Sequence, residues 1–222
     1  MGTLYLVRHG QASFGADNYD QLSDLGLRQS ERLGEYFRLK GIRFEAVLHG
    51  TLARQIQTWE GIATGSGQVL QASVWPGLNE YDSAAVIRAV QPEPLPKPET
   101  AEAVRQHFRL LRTGLLRWAQ GTAQPEGMPS HAEFVAGVNA ALDQVRTHCS
   151  GNVLLVSSGG PIATAVAQVL DAPAQAAIEM NLRIRNTGVS ELAFSPSRHT
   201  LVSFNSVPHL EDGAYADWVT YT

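Results

Sequence analysis

The sequence predicts an α/β fold, a three-layer sandwich with a mostly parallel central sheet and a helical cap or insertion over about residues 76–130. Three observations carry this. Short apolar runs alternate with longer stretches of helical periodicity. Val153–Val156 is apolar throughout, as a parallel strand covered on both faces should be. Several runs stop abruptly at residues that carry chemistry, and in α/β proteins ligands sit at the carboxyl ends of the strands.

Thr3–Val7 reads as the first strand. A helix from about Ser23 to Lys40 follows, with Leu33, Tyr36 and Phe37 on one face and Gly41 as a C-terminal stop. Phe44–Leu48 is a second short strand, Leu52 to about Ala63 a second helix, and Val69–Trp75 a third strand closed by Pro76-Gly77. The prolines of 91–98 exclude helix interior and central strand, so that stretch is read as an exposed connector.

Thr100 caps the next helix, whose apolar face is Val104, Phe108, Leu111, Leu115 and Trp118. Ser130-His131-Ala132-Glu133 is a capping box opening another, with Phe134, Val135, Val138, Leu142 and Val145 inward. Val153–Val156 then runs through a Ser/Gly turn into a helix with Pro161 at its first position. Val189–Phe194 and Leu201–Phe204 complete the sheet.

The 222 residues suit one domain spanning 1–222, with 76–130 covering one end of the sheet. With 44% hydrophobic and 17% charged residues the chain is ordinary globular protein. A formal charge of −4 without like-charge runs argues against nucleic-acid and membrane partners. The single Cys149 fits a reducing compartment, and no targeting or spanning segment is read, so the expected location is cytoplasmic. The oligomeric state is left open.

Four places stand out: Arg8-His9-Gly10, His49 with Arg54, Asn79-Glu80, and Ser157-Ser158-Gly159-Gly160. All but one lie just past a predicted strand. Gly10 would let the backbone turn and a ligand approach. The scattered His107, His131, His148 and His199 lack partners at ligand spacing, so they read as solvated or capping, and no metal or cofactor is expected. Ser158-Gly159-Gly160-Pro161 is equally a tight turn, and Asp82 competes with Glu80 for an acidic role.

These residues resemble the histidine phosphatase superfamily, also called phosphoglycerate-mutase-like. The resemblance rests on Leu6-Val7-Arg8-His9-Gly10, Leu22 to Gln29, Leu52-Ala53-Arg54 with Gln57-Thr58, Leu78-Asn79-Glu80, and Val156 to Gly160, in family order. It implies a cofactor-independent phosphatase acting on a small phosphate monoester through a phosphohistidine at His9. Glu80 would be the proton donor, and Arg8, Gly10, Arg54, Ser158 and Gly159 would bind the phosphate of a small substrate or inorganic phosphate. A histidine nucleophile is chemically apt because neutral imidazole is available near neutral pH. Guanidinium groups match the equatorial oxygens of a transferring phosphoryl group.

The sequence also departs from the family pattern, which has a second histidine where this chain has Ser158. A serine offers one O–H but no cation. His49, five residues before Arg54, is a candidate to supply that imidazole. His209 in Pro208-His209-Leu210 reads as structural, and Trp59 as filling volume against the sheet. The competing reading is a non-catalytic phospho-ligand binder or regulatory protein of the same fold.

Overall fold

The computed structural model describes residues 1–13, 20–93 and 100–221. Its strands are β1 (Gly2–Arg8), β2 (Ala46–His49), β3 (Ser73–Val74), β4 (Gly151–Ser157), β5 (Val189–Ser195) and β6 (Arg198–Ser206). They form a six-stranded sheet in the order β3-β2-β4-β1-β5-β6. The pairs β1/β4, β2/β4 and β2/β3 are parallel, whereas β5 and β6 join antiparallel.

The helices are α1 (Asp24–Leu39), α2 (Ala53–Ser66), α3 (Ser83–Arg88), α4 (Ala101–Ala119), α5 (His131–His148), α6 (Gly159–Val169) and α7 (Ala174–Asn181). Side-chain alternation along the strands divides them into layers. Tyr5, Val7, Leu154 and Val156 pack against Leu33 and Phe37 of α1 and Trp59 and Ile62 of α2. Leu4, Leu6, Val153 and Leu155 face the other way, onto Val138, Leu142 and Val145 of α5 and Ile162 and Val166 of α6. The predicted α/β sandwich is therefore the observed one.

The cap signals read from sequence act as expected. Ser23 accepts from the Gly26 N–H to open α1, and Gly41 just past its end has φ +67°. Ser130 and Glu133 form the reciprocal capping box of α5. A third apolar cluster joins Val86 and Ile87 of α3, Leu111, Leu115 and Trp118 of α4, and Ile178 of α7.

Four expectations need correction. The strand over Val69–Trp75 shrinks to Ser73–Val74, because it is an edge strand paired only with β2 and Val69 is exposed. Helix α6 begins at Gly159, which places Pro161 two positions into the helix rather than at its start. Val104 and Phe108 lie at the outer end of the α4 stripe and remain exposed, so the buried face starts at Leu111. His131 is half-buried, edge-on to Trp118 at 5.0 Å between ring centroids, rather than solvated. Most of the proline-rich connector, residues 94–99, lies outside the described residues.

Candidate active site

The parallel register of β1 and β4 brings two of the four sequence motifs together. Arg8 pairs with Ser157, and the His9 N–H donates to Ser157 O at 2.9 Å. Beyond that point β1 leaves the sheet, and each backbone group of His9 and Gly10 finds a defined partner. The His9 carbonyl accepts from Asn186 Nδ2 at 3.1 Å, and the Gly10 N–H donates to Thr58 Oγ1 at 3.0 Å. Thr58 in turn donates to Arg54 O at 2.7 Å, within the first turns of α2.

Gly10 is required by packing. A Cβ there would lie 2.5 Å from Gly26 O, and a Cβ on Gly26 would lie 2.1 Å from Gln11 O. The two backbones cross where α1 begins. Gly10 was expected to line the ligand, but its N–H is spent on Thr58 and its open side on Gly26.

The His9 ring is buried and oriented. Nδ1 lies 2.7 Å from Gly10 O, and a carbonyl can only accept, so the assigned tautomer carries its proton on Nδ1. Nε2 is left as the bare nitrogen and receives the Arg54 Nε–H at 3.3 Å. Burial, reinforced by the Arg8 and Arg54 guanidinium groups, holds the imidazole well below its ordinary pKa. The ring is therefore neutral at working pH.

Arg54 is held by Asp20, a residue the sequence reading passed over. Asp20 Oδ1 accepts from Arg54 Nη1 at 2.7 Å, and Oδ2 accepts from the Ala53 N–H at 2.9 Å. Its carboxylate thus caps α2, whose own N-cap, Leu52, has no side-chain oxygen to offer. Arg8 is anchored at the opposite side, its Nη1 donating to Ile184 O and to Tyr221 O, the latter at 2.8 Å.

Glu80 sits against the amino end of α6. Its Oε2 accepts from the Gly160 N–H at 3.1 Å and its Oε1 from the Tyr81 N–H at 3.3 Å. A Cβ on Gly160 would fall 2.2 Å from Oε1, so any side chain there would push the Glu80 carboxyl out of this seat. Burial pushes the Glu80 carboxyl up, against the opposing pull of the Gly160 amide and the two arginines. Asp82, the sequence competitor, is exposed and spent on the Ala84 and Ala85 amides that open α3. A cleft of about 330 Å³ adjoins Glu80, with Asn79, Tyr81, Met128, Pro129 and Phe134 among its walls.

Ser158 is fully buried and accepts from Gln55 Nε2 at 2.9 Å. Gln55 was not singled out in the sequence, where nothing distinguishes it from other polar residues of a helix. A Cβ on Gly159 would lie 2.3 Å from Asn181 Oδ1, so a larger residue there would have to displace the Asn181 amide. His49 is buried with Nδ1 2.6 Å from Gly50 O; the partner recorded at Ser158 is Gln55 and not His49. His209 is structural in the geometry too, bonded to Thr187 Oγ1 at 2.8 Å, and Trp59 packs in the α1–α2 layer. Among the described residues, no three His, Cys, Asp or Glu are grouped to hold a metal, and no helix is long and apolar enough to cross a membrane.

The model of the histidine phosphatase superfamily (branch 1) matches residues 4–207, and the chain belongs to that family. No curated protein matches it in sequence. Among solved structures it is similar to YhfR from Bacillus stearothermophilus, at 19% identity and a TM-score of 0.70, over 95% of this chain and 100% of that one. A phosphoserine phosphatase from Entamoeba histolytica, in complex with 3-phosphoglyceric acid, is 20% identical with a TM-score of 0.64, over 95% and 100% of the two chains. A putative alpha-ribazole-5'-P phosphatase from Escherichia coli K-12 is 21% identical with a TM-score of 0.66, over 93% and 97%. These likenesses establish the fold.

Proposed function

We propose that the protein is a phosphatase that hydrolyses a small phosphate monoester through a phosphohistidine at His9. The observation that carries this is the His9 ring itself: buried, neutral, with Nδ1–H fixed on Gly10 O and Nε2 beside the Arg54 guanidinium. Family membership supports the same chemistry, as do fold neighbours named as phosphatases.

In the first step the Nε2 lone pair attacks phosphorus and the ester P–O bond breaks. Glu80, whose carboxyl burial pushes up, gives its proton to the departing alkoxide. The ring then carries the phosphoryl group on Nε2 and a proton on Nδ1, and Gly10 O stabilises that cation. In the second step the Glu80 carboxylate takes a proton from water, the water oxygen attacks phosphorus, and the N–P bond breaks. Free phosphate leaves and both groups are restored. Arg54 and Arg8 supply the fixed positive field that the equatorial oxygens need. The cleft beside Glu80 gives the leaving group its space, and residues 76–130 are where we expect substrate choice to lie.

The test is turnover of an aryl phosphate by the wild type, His9→Ala and Ser158→His, with acid-labile phosphate trapped on the protein. Turnover and trapped phosphate that disappear together in His9→Ala are expected. Equal activity in wild type and His9→Ala would overturn the mechanism. An inactive wild type made active by Ser158→His would identify a phosphate-binding relative that has lost turnover.

A further inference from the structure

The Gln55 side chain bridges the two strand-end motifs in a way that fixes a proton. Its Nε2 lies 2.9 Å from Leu78 O and 2.9 Å from Ser158 Oγ. Leu78 O can only accept, so nitrogen, not oxygen, must face that side of the amide. Ser158 Oγ is therefore an acceptor from Gln55, and its own proton must point elsewhere. The neighbouring Ser157 hydroxyl already donates to Leu78 O at 2.7 Å. Among the described residues no acceptor is recorded for the Ser158 proton.

Ser158 also stands at the N-cap of α6, where a serine oxygen ordinarily accepts from the helix amides. Here it makes no such bond. Gln55 draws the oxygen away, leaving the Gly160 N–H to Glu80. The direction is set by the same turn of α2 that orients the nucleophile: Arg54 reaches His9 Nε2, and the next residue reaches Ser158. Gln55 is itself held by its bond to Leu78 O. Its Oε1 makes no hydrogen bond among the described residues and occupies space that only a glycine at position 50 leaves open, since a Cβ there would lie 2.1 Å away.

We propose that Gln55 is a positioning residue that holds the Ser158 hydroxyl as a donor to the phosphoryl oxygens. This rests on the phosphatase reading above and deepens it. A neutral Gln–Ser pair then stands where the resembled family places an imidazole. Such a donor does not titrate across the working range, so position 158 adds no limb to the pH–rate profile.

The experiment measures orthovanadate inhibition and aryl phosphate kinetics for wild type, Gln55→Leu, Ser158→Ala, the double variant and Gln55→Glu. Losing one preorganised donor should lower kcat by about 10²-fold in Ser158→Ala. Gln55→Leu should lower it by roughly tenfold and weaken vanadate, while the double variant should match Ser158→Ala alone, because the two residues act through one hydroxyl. In Gln55→Glu the new carboxylate accepts the Ser158 proton, so the loss should be greatest near neutral pH and recover relative to wild type toward acid. Wild-type kinetics in Gln55→Leu, or fully additive losses in the double variant, would overturn the proposal. Should Gln55→Leu fail to fold by thermal melting, the near-isosteric Gln55→Met carries the same comparison. A wild type that forms no phosphohistidine defeats the phosphatase reading; one that does, with Gln55 variants unchanged, defeats only this inference. If wild type binds vanadate without turnover, the vanadate affinities decide it.

Discussion

The ends of β1 and β2 carry the same local device in different surroundings. His9 places Nδ1 2.7 Å from Gly10 O, and His49 places Nδ1 2.6 Å from Gly50 O. Each ring thereby holds the tautomer with bare Nε2. Around His9 the partners are a guanidinium at Nε2, the Asn186 amide on its carbonyl and the Thr58 hydroxyl on the following glycine. A Cβ on Gly50 would meet oxygens, Gln55 Oε1 and Asn79 Oδ1, and the His49 carbonyl is taken by the Trp75 N–H of the sheet edge. A two-residue motif sets a tautomer. The electrostatic field that would make the ring a nucleophile toward an anion comes from elements distant in sequence.

The largest expected effect tests that contrast directly. His9→Gln should reduce aryl phosphate turnover to background, because the proposed covalent intermediate forms on that ring. His49→Gln should stay within about threefold of wild type, since among the described residues no guanidinium bonds its ring as Arg54 bonds that of His9. Comparable losses in both variants, measured as kcat at saturating substrate and kcat/KM at limiting substrate, would mean that the shared lock matters more than the field.

Glu80→Gln comes next. Removing a general acid typically costs about 10²–10⁴ in rate, most for esters with poor leaving groups. The wild-type profile should be a bell displaced by the two shifts seen here. Activity falls on the acid side as His9 protonates, well below its ordinary range, and on the alkaline side as the raised Glu80 carboxyl loses its proton. Glu80→Gln should erase the alkaline limb and leave the acid one. Retention of that limb in the variant would assign it to another group.

The parts of the fold and of this site that were legible in the sequence share a property: they are contiguous. Arg8-His9-Gly10 follows an apolar run, and Ser130 with Glu133 signals its helix start within four residues, so local chemistry alone announces them. Asp20, Gln55 and Asn186 were invisible for the opposite reason. Each acts across a large sequence separation, Asp20 on Arg54, Gln55 on Ser158 and Asn186 on His9, and such pairs exist only once the chain has folded. The same logic explains one error of extent and one helix that the sequence did not announce. Val69–Trp75 has strand-like composition but only one neighbouring strand to pair with, and α7 opens on Pro173 without an oxygen cap or a long apolar stripe to mark it.

Asp20→Asn measures how much of the His9 environment comes from that distant pairing. The amide keeps the size and an acceptor for the Ala53 N–H but loses the charge that fixes Arg54. A loss of about tenfold in kcat/KM is expected, between full removal of an oxyanion-stabilising group and a mere surface ion pair. A vanadate affinity equal to wild type would show that Arg54 holds its position without the carboxylate.

The smallest effect on turnover, and the clearest on stability, should come from the layer beneath. Thr187 donates its backbone N–H to Arg8 O at 3.1 Å and its hydroxyl to Asn186 O, while accepting from His209 Nε2. Burial pushes the His209 pKa down to about 3, so the folded protein keeps this ring neutral where the unfolded chain, titrating near 6.5, takes up a proton. Stability from this group is fully present above pH 6.5 and is lost as pH falls toward 3, at about 1.4 kcal/mol per pH unit. His9 has the same sign, as do His107, His131 and His199, so the wild type should lose stability with a slope steeper than one proton over the upper part of that window. His209→Gln keeps a donor for Thr187 and removes one titration. Its unfolding free energy, followed by urea titration from pH 7 to pH 4, should fall with a visibly shallower slope, and its kcat should remain within a few-fold of wild type. Identical slopes would place the acid sensitivity elsewhere in the fold.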